Sequence, residues 1–350
     1  MQQYNIMNDL VVQESGKEVY DYFLKHTDIE SEKTLIVSTT TPFNILNNRN
    51  ELNVIINLTK VNHIRFINKF FETVNGKLKN DNLFLGCFET YTARRKRKQL
   101  GKIPVIKNIY FGFEFILLRI FPKIWGFKKI YFLLTRGKNR LLSKSEVLGR
   151  LVSCGFEIKD YQNINELIYF VAKKIKEPTF DMNPSYGFLY KMPRIGKNGK
   201  IINVYKLRTM HPYAEYLQDY ILLLNGYEKT GKPANDFRIT PWGKFMRRYW
   251  LDELPQLINV LSGDLKLVGV RPVSKRYFQD IPKDLQELRL KQKPGCIPPY
   301  VALNRKGNLE SVLKSDREYL EEKIKHPYTT DTKYFCKAVF NILVRRKRSA

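Results

Sequence analysis

The sequence has 350 residues, enough for two domains at about 100–200 residues each. Its 43% hydrophobic and 13% aromatic content can fill cores, which excludes a wholly disordered chain. The 61 Lys and Arg against 34 Asp and Glu leave a net charge of +27, which calls for an anionic partner: nucleic acid, an anionic membrane surface or phosphate-bearing small molecules. Cys87, Cys154, Cys296 and Cys336 lie far apart with no CxxC pair, so a disulfide framework or zinc site is not expected and a reducing compartment fits. The N-terminal "MQQYNIMNDLVVQESGKEVY" lacks the basic-then-apolar layout of a signal peptide. No run approaches the roughly 20 apolar residues of a spanning helix, so a cytosol-facing protein is expected.

In chain order, "TLIVST" (34–39) and "NVIINL" (53–58) are β-branched runs suited to buried strands. Ile67, Phe70, Phe71 and Val74 then follow helical spacing, ending near Gly76. "NLFLGCF" (82–88) reads as a third strand. "SKSEVLGRLVSCGF" opens with a capping box, Ser143 to Glu146, places Leu148, Leu151 and Val152 on one face and stops at Gly155. "FEI" and "LIYFVA" add two strands, giving an α/β order.

The stretches "NVIINLTKVNHIRFINKFFETVNGKLKNDNLFLG" and "LSKSEVLGRLVSCGFEI" resemble the later part of a class I methyltransferase fold, which implies a Rossmann-like N-terminal domain. That family's Gly-rich cofactor loop is missing, since "TLIVSTTTPFN" has no glycine, so a degenerate scaffold is expected. Within it, about residues 103–140 form an apolar, aromatic insertion interrupted by Glu114, Arg119 and Lys123. "RRKRK" (94–98) precedes it, and Lys128, Lys129, Arg136, Lys138 and Arg140 follow. The readings that stand are a segment lying in an anionic membrane face, a core helix kinked at Pro122, or an insertion covering the sheet. The C-terminal "RRKR" (345–348) is a second electrostatic anchor or a solvated tail. Periodicity lapses over "KKIKEPTFDMNPSYG" (173–187), so domains of 1–178 and 179–350 are expected.

The second half opens with a basic hairpin, "RIGKNGKIINVYKLRTM", whose Asn198-Gly199 pair suits a turn with positive φ at both residues. Farther on, Leu254, Leu257, Ile258 and Leu261 are spaced as a helix starting near Asp252, with Pro255 in its first turn. Asp252 and Glu253 then sit at the helix's positive end, which favours ionised carboxylates. Locally the pair is either routine capping chemistry or two acids placed for phosphoryl transfer.

The ordered series "RIGKNGK…YKLRTM…DFRIT…G…RR…LDELPQLINVLSGDLKLVGVRP…KPG" resembles the monotopic phosphoglycosyl transferases, a bacterial sugar transferase family. The resemblance implies a smaller α+β catalytic domain that moves a sugar 1-phosphate from a UDP-sugar to a polyprenyl phosphate. It implies Asp252 as nucleophile, Glu253 as Mg²⁺ ligand, and Arg194, Lys206, Arg208, Arg238, Arg248 and Arg271 as phosphate or nucleotide contacts. It places the chain on the cytoplasmic face of a bacterial inner membrane, with a homo-oligomer left open. Four departures stand out, one of them the glycine expected soon after "KPG" but missing from "KPGCIPP". The position of the family's apolar hairpin holds "NINELIYFVAKKIKEPTFDMNPSYG"; Met192 and Pro193 replace the usual Gln and acidic residue; Val270 opens the usual Pro-Arg-Pro. The insertion around Pro122 is the candidate replacement for the missing hairpin. A non-catalytic relative that scaffolds glycan assembly is the alternative. A nucleic-acid-binding module ranks last, since no recognition signature accompanies the charge and no nucleic acid is expected.

Overall fold

The computed structural model describes residues 10–98, 104–121, 126–180, 187–226 and 233–345. The chain divides into two compact units, Met1–Tyr186 with His211–Tyr220, and Gly187–Met210 with Ile221–Ala350. The ten-residue segment His211–Tyr220 thus belongs with the first unit, although it follows the start of the second in sequence.

In the first unit the β-branched runs form a mixed sheet of five strands: β1 (Thr34–Val37), β2 (Leu52–Asn57), β3 (Leu78–Phe88), β4 (Phe156–Ile164) and β5 (Leu167–Lys174). Their order is β1-β2-β3-β5-β4; the first three are parallel and β5 runs antiparallel to both β3 and β4. Helix α1 (Lys17–Leu24) places Val19, Tyr22 and Phe23 in a core shared with Val54, Ile56, Leu85 and Val171. Between β2 and β3, α2 (Ile67–Lys77) buries Ile67, Phe70, Phe71 and Val74, the residues its spacing singles out. At about 1.5–3 kcal/mol for each large apolar side chain, this stripe is ample reason for the helix to form.

Where described, the insertion is mostly helical. Helix α3 (Pro104–Phe115) runs into a π-helical turn, Ile116–Ile120, and α4 (Phe127–Thr135) follows. The expected kink at Pro122 lies outside the described residues. These helices are two-sided: Phe111 and Tyr131 are buried, whereas Ile109, Phe113, Phe127, Ile130, Leu133 and Leu134 are exposed. The basic run before them is partly consumed: Arg94 donates to Glu114 at 2.9 Å, Lys98 to Glu114 at 2.6 Å and Arg97 to Glu89 at 2.8 Å. Arg94 and Lys98 therefore brace α3 through Glu114, while Arg97 pairs with Glu89 just after β3.

Helix α5 (Lys144–Ser153) starts at the expected capping serine. The Ser143 hydroxyl accepts from the Glu146 amide at 3.1 Å. The Glu146 carboxylate is held by Arg150 (2.9 Å) and Arg119.

The second unit starts with the expected hairpin, β6 (Leu189–Ile195) and β7 (Ile201–Leu207), paired antiparallel. Asn198 and Gly199 both have positive φ, 53° and 76°, within the connection from Gly196 to Lys200. After α6 (Pro241–Arg248) and α7 (Gln256–Leu261), two short parallel strands pair, β8 (Lys266–Val268) and β9 (Gly295–Ile297). A Cβ on Gly295 would lie 2.2 Å from the Gly269 amide nitrogen, so this approach admits only glycine. Helices α8 (Leu309–Lys325) and α9 (Thr330–Leu343) close the core around Val268, Val270, Leu285, Tyr319, Leu320 and Tyr334. Buried Tyr319 keeps its hydroxyl satisfied by donating to Asp331 at 2.6 Å.

Candidate active site

Local chemistry sets the turn that carries the acidic pair. Thr240 caps α6 by accepting from the Gly243 amide at 3.0 Å, with Pro241 in the first turn where it loses no helical bond. At the far end Trp250 takes a left-handed φ of 55° and redirects the chain into a 3-10 turn, Leu251–Glu253. Helix α7 begins only at Gln256, so Asp252 and Glu253 occupy the turn before it and not the helix's first turn. The helical spacing of the apolar residues is present, but they face out. Leu254, Leu257, Ile258 and Leu261 are exposed, the last at 89%, while Gln256 and Asn259 are buried.

Asn259 explains that orientation. Fully buried, it donates to the Asn203 carbonyl at 2.7 Å and accepts from the Tyr205 amide at 3.0 Å. One side chain thereby pins α7 to β7, the strand that carries Lys206. The Lys206 ammonium lies 2.5 Å from Glu253 Oε1, and the Arg271 guanidinium lies 3.3 Å from the same oxygen. Behind Arg271, Arg289 donates to its carbonyl at 2.5 Å and pairs with buried Asp316.

Lys206, Glu253, Arg271 and Arg289 line a pocket of about 330 Å³, together with Arg194, Gln256 and Tyr300. Burial pushes Glu253 up, but the charges of Lys206 and Arg271 outweigh it and hold the carboxyl below its ordinary value. Lys206 is itself held below its ordinary value by burial, which its attraction to Glu253 does not offset. Asp252 goes the other way. Burial, at 8% exposure, raises it above the ordinary aspartate value against the pull of Lys206 and Arg247. The helix-end argument for an easily ionised Asp252 is therefore corrected: desolvation dominates at this position.

Of the residues singled out in the sequence, Glu253, Lys206, Arg194 and Arg271 meet in this pocket, with Asp252 next along the turn. Arg208, Arg238 and Arg248 do not line it. Arg208 donates to the Gly187 carbonyl at 2.8 Å and lies over the Tyr190 ring at 5.2 Å. Arg238 is buried and bound to Asp236 at 2.7 Å. Arg248 is exposed over Tyr249, whereas the neighbouring Arg247 acts on Asp252 and donates to the Thr209 hydroxyl at 2.9 Å. Arg247, Gln256 and Tyr300 were not read from the sequence. The adjacent pair Arg247-Arg248 was a signal for the first, but only the helix's rotation tells the two apart.

Residues 177–345, which contain the pocket, match the family model for bacterial sugar transferases. An uncharacterized sugar transferase of Bacillus subtilis, EpsL, is 31% identical over 179 residues, covering 51% of this chain and 76% of that protein. The chain belongs to the bacterial sugar transferase family. Other relatives in the family include the galactosyl transferase CpsE of Streptococcus agalactiae, 36% identical over 139 residues, 38% of this chain and 30% of that protein. The undecaprenyl-phosphate galactose phosphotransferase of Salmonella typhimurium is 40% identical over 116 residues, 31% of this chain and 23% of that protein. The chain thus spans less than a third of the length of these two sugar transferases.

Proposed function

We propose that the chain is a phosphoglycosyl transferase that moves a sugar 1-phosphate from a UDP-sugar to a polyprenyl phosphate and so starts a surface glycan. The observation that carries this reading is the acidic turn beside a pocket lined by Lys206, Arg194 and Arg271, inside the family-matched region. Two of the relatives are named for galactosyl transfer and for transfer onto undecaprenyl phosphate.

Two displacements describe the reaction. An Asp252 carboxylate oxygen attacks the sugar-bearing phosphorus of the UDP-sugar, forming an aspartyl P–O bond as the P–O bond to UMP breaks and UMP leaves with the electron pair. A phosphate oxygen of the polyprenyl phosphate then attacks the same phosphorus and returns the carboxylate to Asp252. Lys206, Arg194 and Arg271 spread the charge of the phosphate oxygens. Among the described residues no cluster of three or more His, Cys, Asp or Glu could hold a metal by itself. One ionised carboxylate, Glu253, next to a phosphate-binding pocket suits a Mg²⁺ that arrives with a diphosphate, because this ion keeps few protein ligands. When bound, Mg²⁺ would neutralise phosphate charge.

The exposed apolar side of α7, with Trp242 and Phe245 exposed on α6, suits a lipid acceptor. We assign the chain to the cytoplasmic face of a bacterial membrane, held by an anionic surface. No helix among the described residues is long and apolar enough to cross a membrane. The first unit is read as a methyltransferase-like scaffold without cofactor chemistry. Where that family keeps a glycine-rich loop, the Thr39 amide and carbonyl are both taken by the Asn57 side chain, at 3.0 and 3.1 Å.

The test is UMP release from a panel of UDP-sugars with Mg²⁺ and polyprenyl phosphate. Release by the parent chain and its loss in Asp252→Asn are expected. Silence of the parent across the panel would move the chain to the non-catalytic alternative.

A further inference from the structure

The first unit contains a second and larger cavity, about 1370 Å³, formed by α4, the start of α2 and the helix–turn region around Leu141. Among the described residues its lining carries seven cations and a single carboxylate, Glu146. That carboxylate is already held by Arg150 and Arg119. Arg65 lies over the rings of Phe66 (5.1 Å) and Phe132 (5.4 Å), and Arg140 donates to the Arg65 carbonyl at 3.2 Å. The turn after α4 fixes this arrangement. Arg136 and Gly137 have φ of 52° and 78°, and a Cβ on Gly137 would meet Arg65 Cγ at 2.9 Å. Lys69, Lys129 and Arg136 make no ion pair among the described residues.

Like charges held this close repel one another unless an anion enters, and rigid guanidinium groups suit phosphate oxygens. The edge of the cavity is aliphatic. Leu133 lines it and is 78% exposed, and Leu134 and Ile130 lie exposed on the same helix. A soluble phosphate compound has no use for such an edge, whereas a lipid presents a phosphate headgroup with acyl chains beside it. We infer that this cleft binds the phosphate headgroup of an anionic membrane lipid, with the aliphatic edge of α4 against the acyl chains. The inference rests on the membrane reading given above and makes it specific. The contact is a built phosphate site in the first unit and not a diffuse attraction of the +27 charge.

Sedimentation of the full chain with vesicles tests it, using phosphatidylcholine alone and phosphatidylcholine mixed with phosphatidylglycerol. The parent binds the mixed vesicles selectively. Lys129→Gln with Arg136→Gln, both exposed and free of ion pairs among the described residues, weakens that binding by roughly tenfold or more. Lys25→Gln with Lys33→Gln, exposed residues that do not line the cleft, removes the same charge and leaves binding near the parent's. Equal weakening by both pairs, or none by the cleft pair, overturns the cleft while the membrane reading survives. A parent chain that ignores both vesicles overturns the two together. Cleft-dependent binding of inorganic phosphate without vesicle selectivity overturns the lipid assignment.

Discussion

Asp252 and Glu253 are neighbours in one turn, yet their surroundings move them in opposite directions, Asp252 up by burial and Glu253 down by Lys206 and Arg271. The pH dependence of UMP release follows from this. A nucleophilic Asp252 must be ionised, so activity falls as pH drops through a value above that of an ordinary aspartate. The Lys206 charge is lost as pH rises through a value below that of an ordinary lysine. A bell-shaped kcat/KM profile with both limbs drawn inward is expected, and an acid limb at the ordinary aspartate position would contradict the burial argument. Arg238 makes a separate residue-scale prediction. Removing Asp236 alone takes a two-oxygen carboxylate partner from a buried guanidinium and should cost up to about 3–5 kcal/mol. Replacing both residues with apolar ones recovers much of that loss, which a double-mutant cycle on urea unfolding would measure. A pair that couples by less than about 0.5 kcal/mol would show that Arg238 is not held by Asp236. At this scale the sequence revealed the acids through their ordered motifs. It did not separate Arg247 from Arg248, because the choice depends on which way α6 is rotated.

Among the elements, α7 shows how a correct period can hide a direction. Its apolar residues fall at helical spacing, but burial belongs to Gln256 and Asn259 on the other face. Nothing in the spacing of Leu254, Leu257, Ile258 and Leu261 says which side is covered; the two hydrogen bonds from Asn259 to β7 decide it. Asn259→Leu leaves the Tyr205 amide and the Asn203 carbonyl without that partner. It should cost about 2–4 kcal/mol, read as a fall in the urea midpoint. Because β7 carries Lys206, UMP release should fall as well, even under conditions where the variant remains folded. A variant as stable and active as the parent would remove Asn259 from its positioning role. The strands of the first unit and the β6–β7 hairpin were legible because β-branched runs and Asn198-Gly199 are local signals. The 3-10 turn holding the acids was not, since the left-handed Trp250 that creates it has no sequence signature.

For the whole molecule, the net charge of +27 pointed to an anionic partner, but the fold decides which cations are available. Part of the "RRKRK" run braces α3 through Glu114 and pairs with Glu89, while the cleft cations lie around one engaged carboxylate. Binding to anionic vesicles should therefore weaken steeply with added salt, and Leu133→Ser with Leu134→Ser should weaken it further at any one salt concentration. Sedimentation equal to the parent's after that change would remove α4 from the membrane contact. The central claim concerns the acidic turn, and the most direct test is the intact mass of the protein after incubation with UDP-sugars and Mg²⁺, without the lipid acceptor. The account predicts a mass increase of one phosphosugar, mapped to Asp252 and absent in Asp252→Asn. An adduct that persists in Asp252→Asn, or UMP release to polyprenyl phosphate with no adduct ever forming, would contradict it.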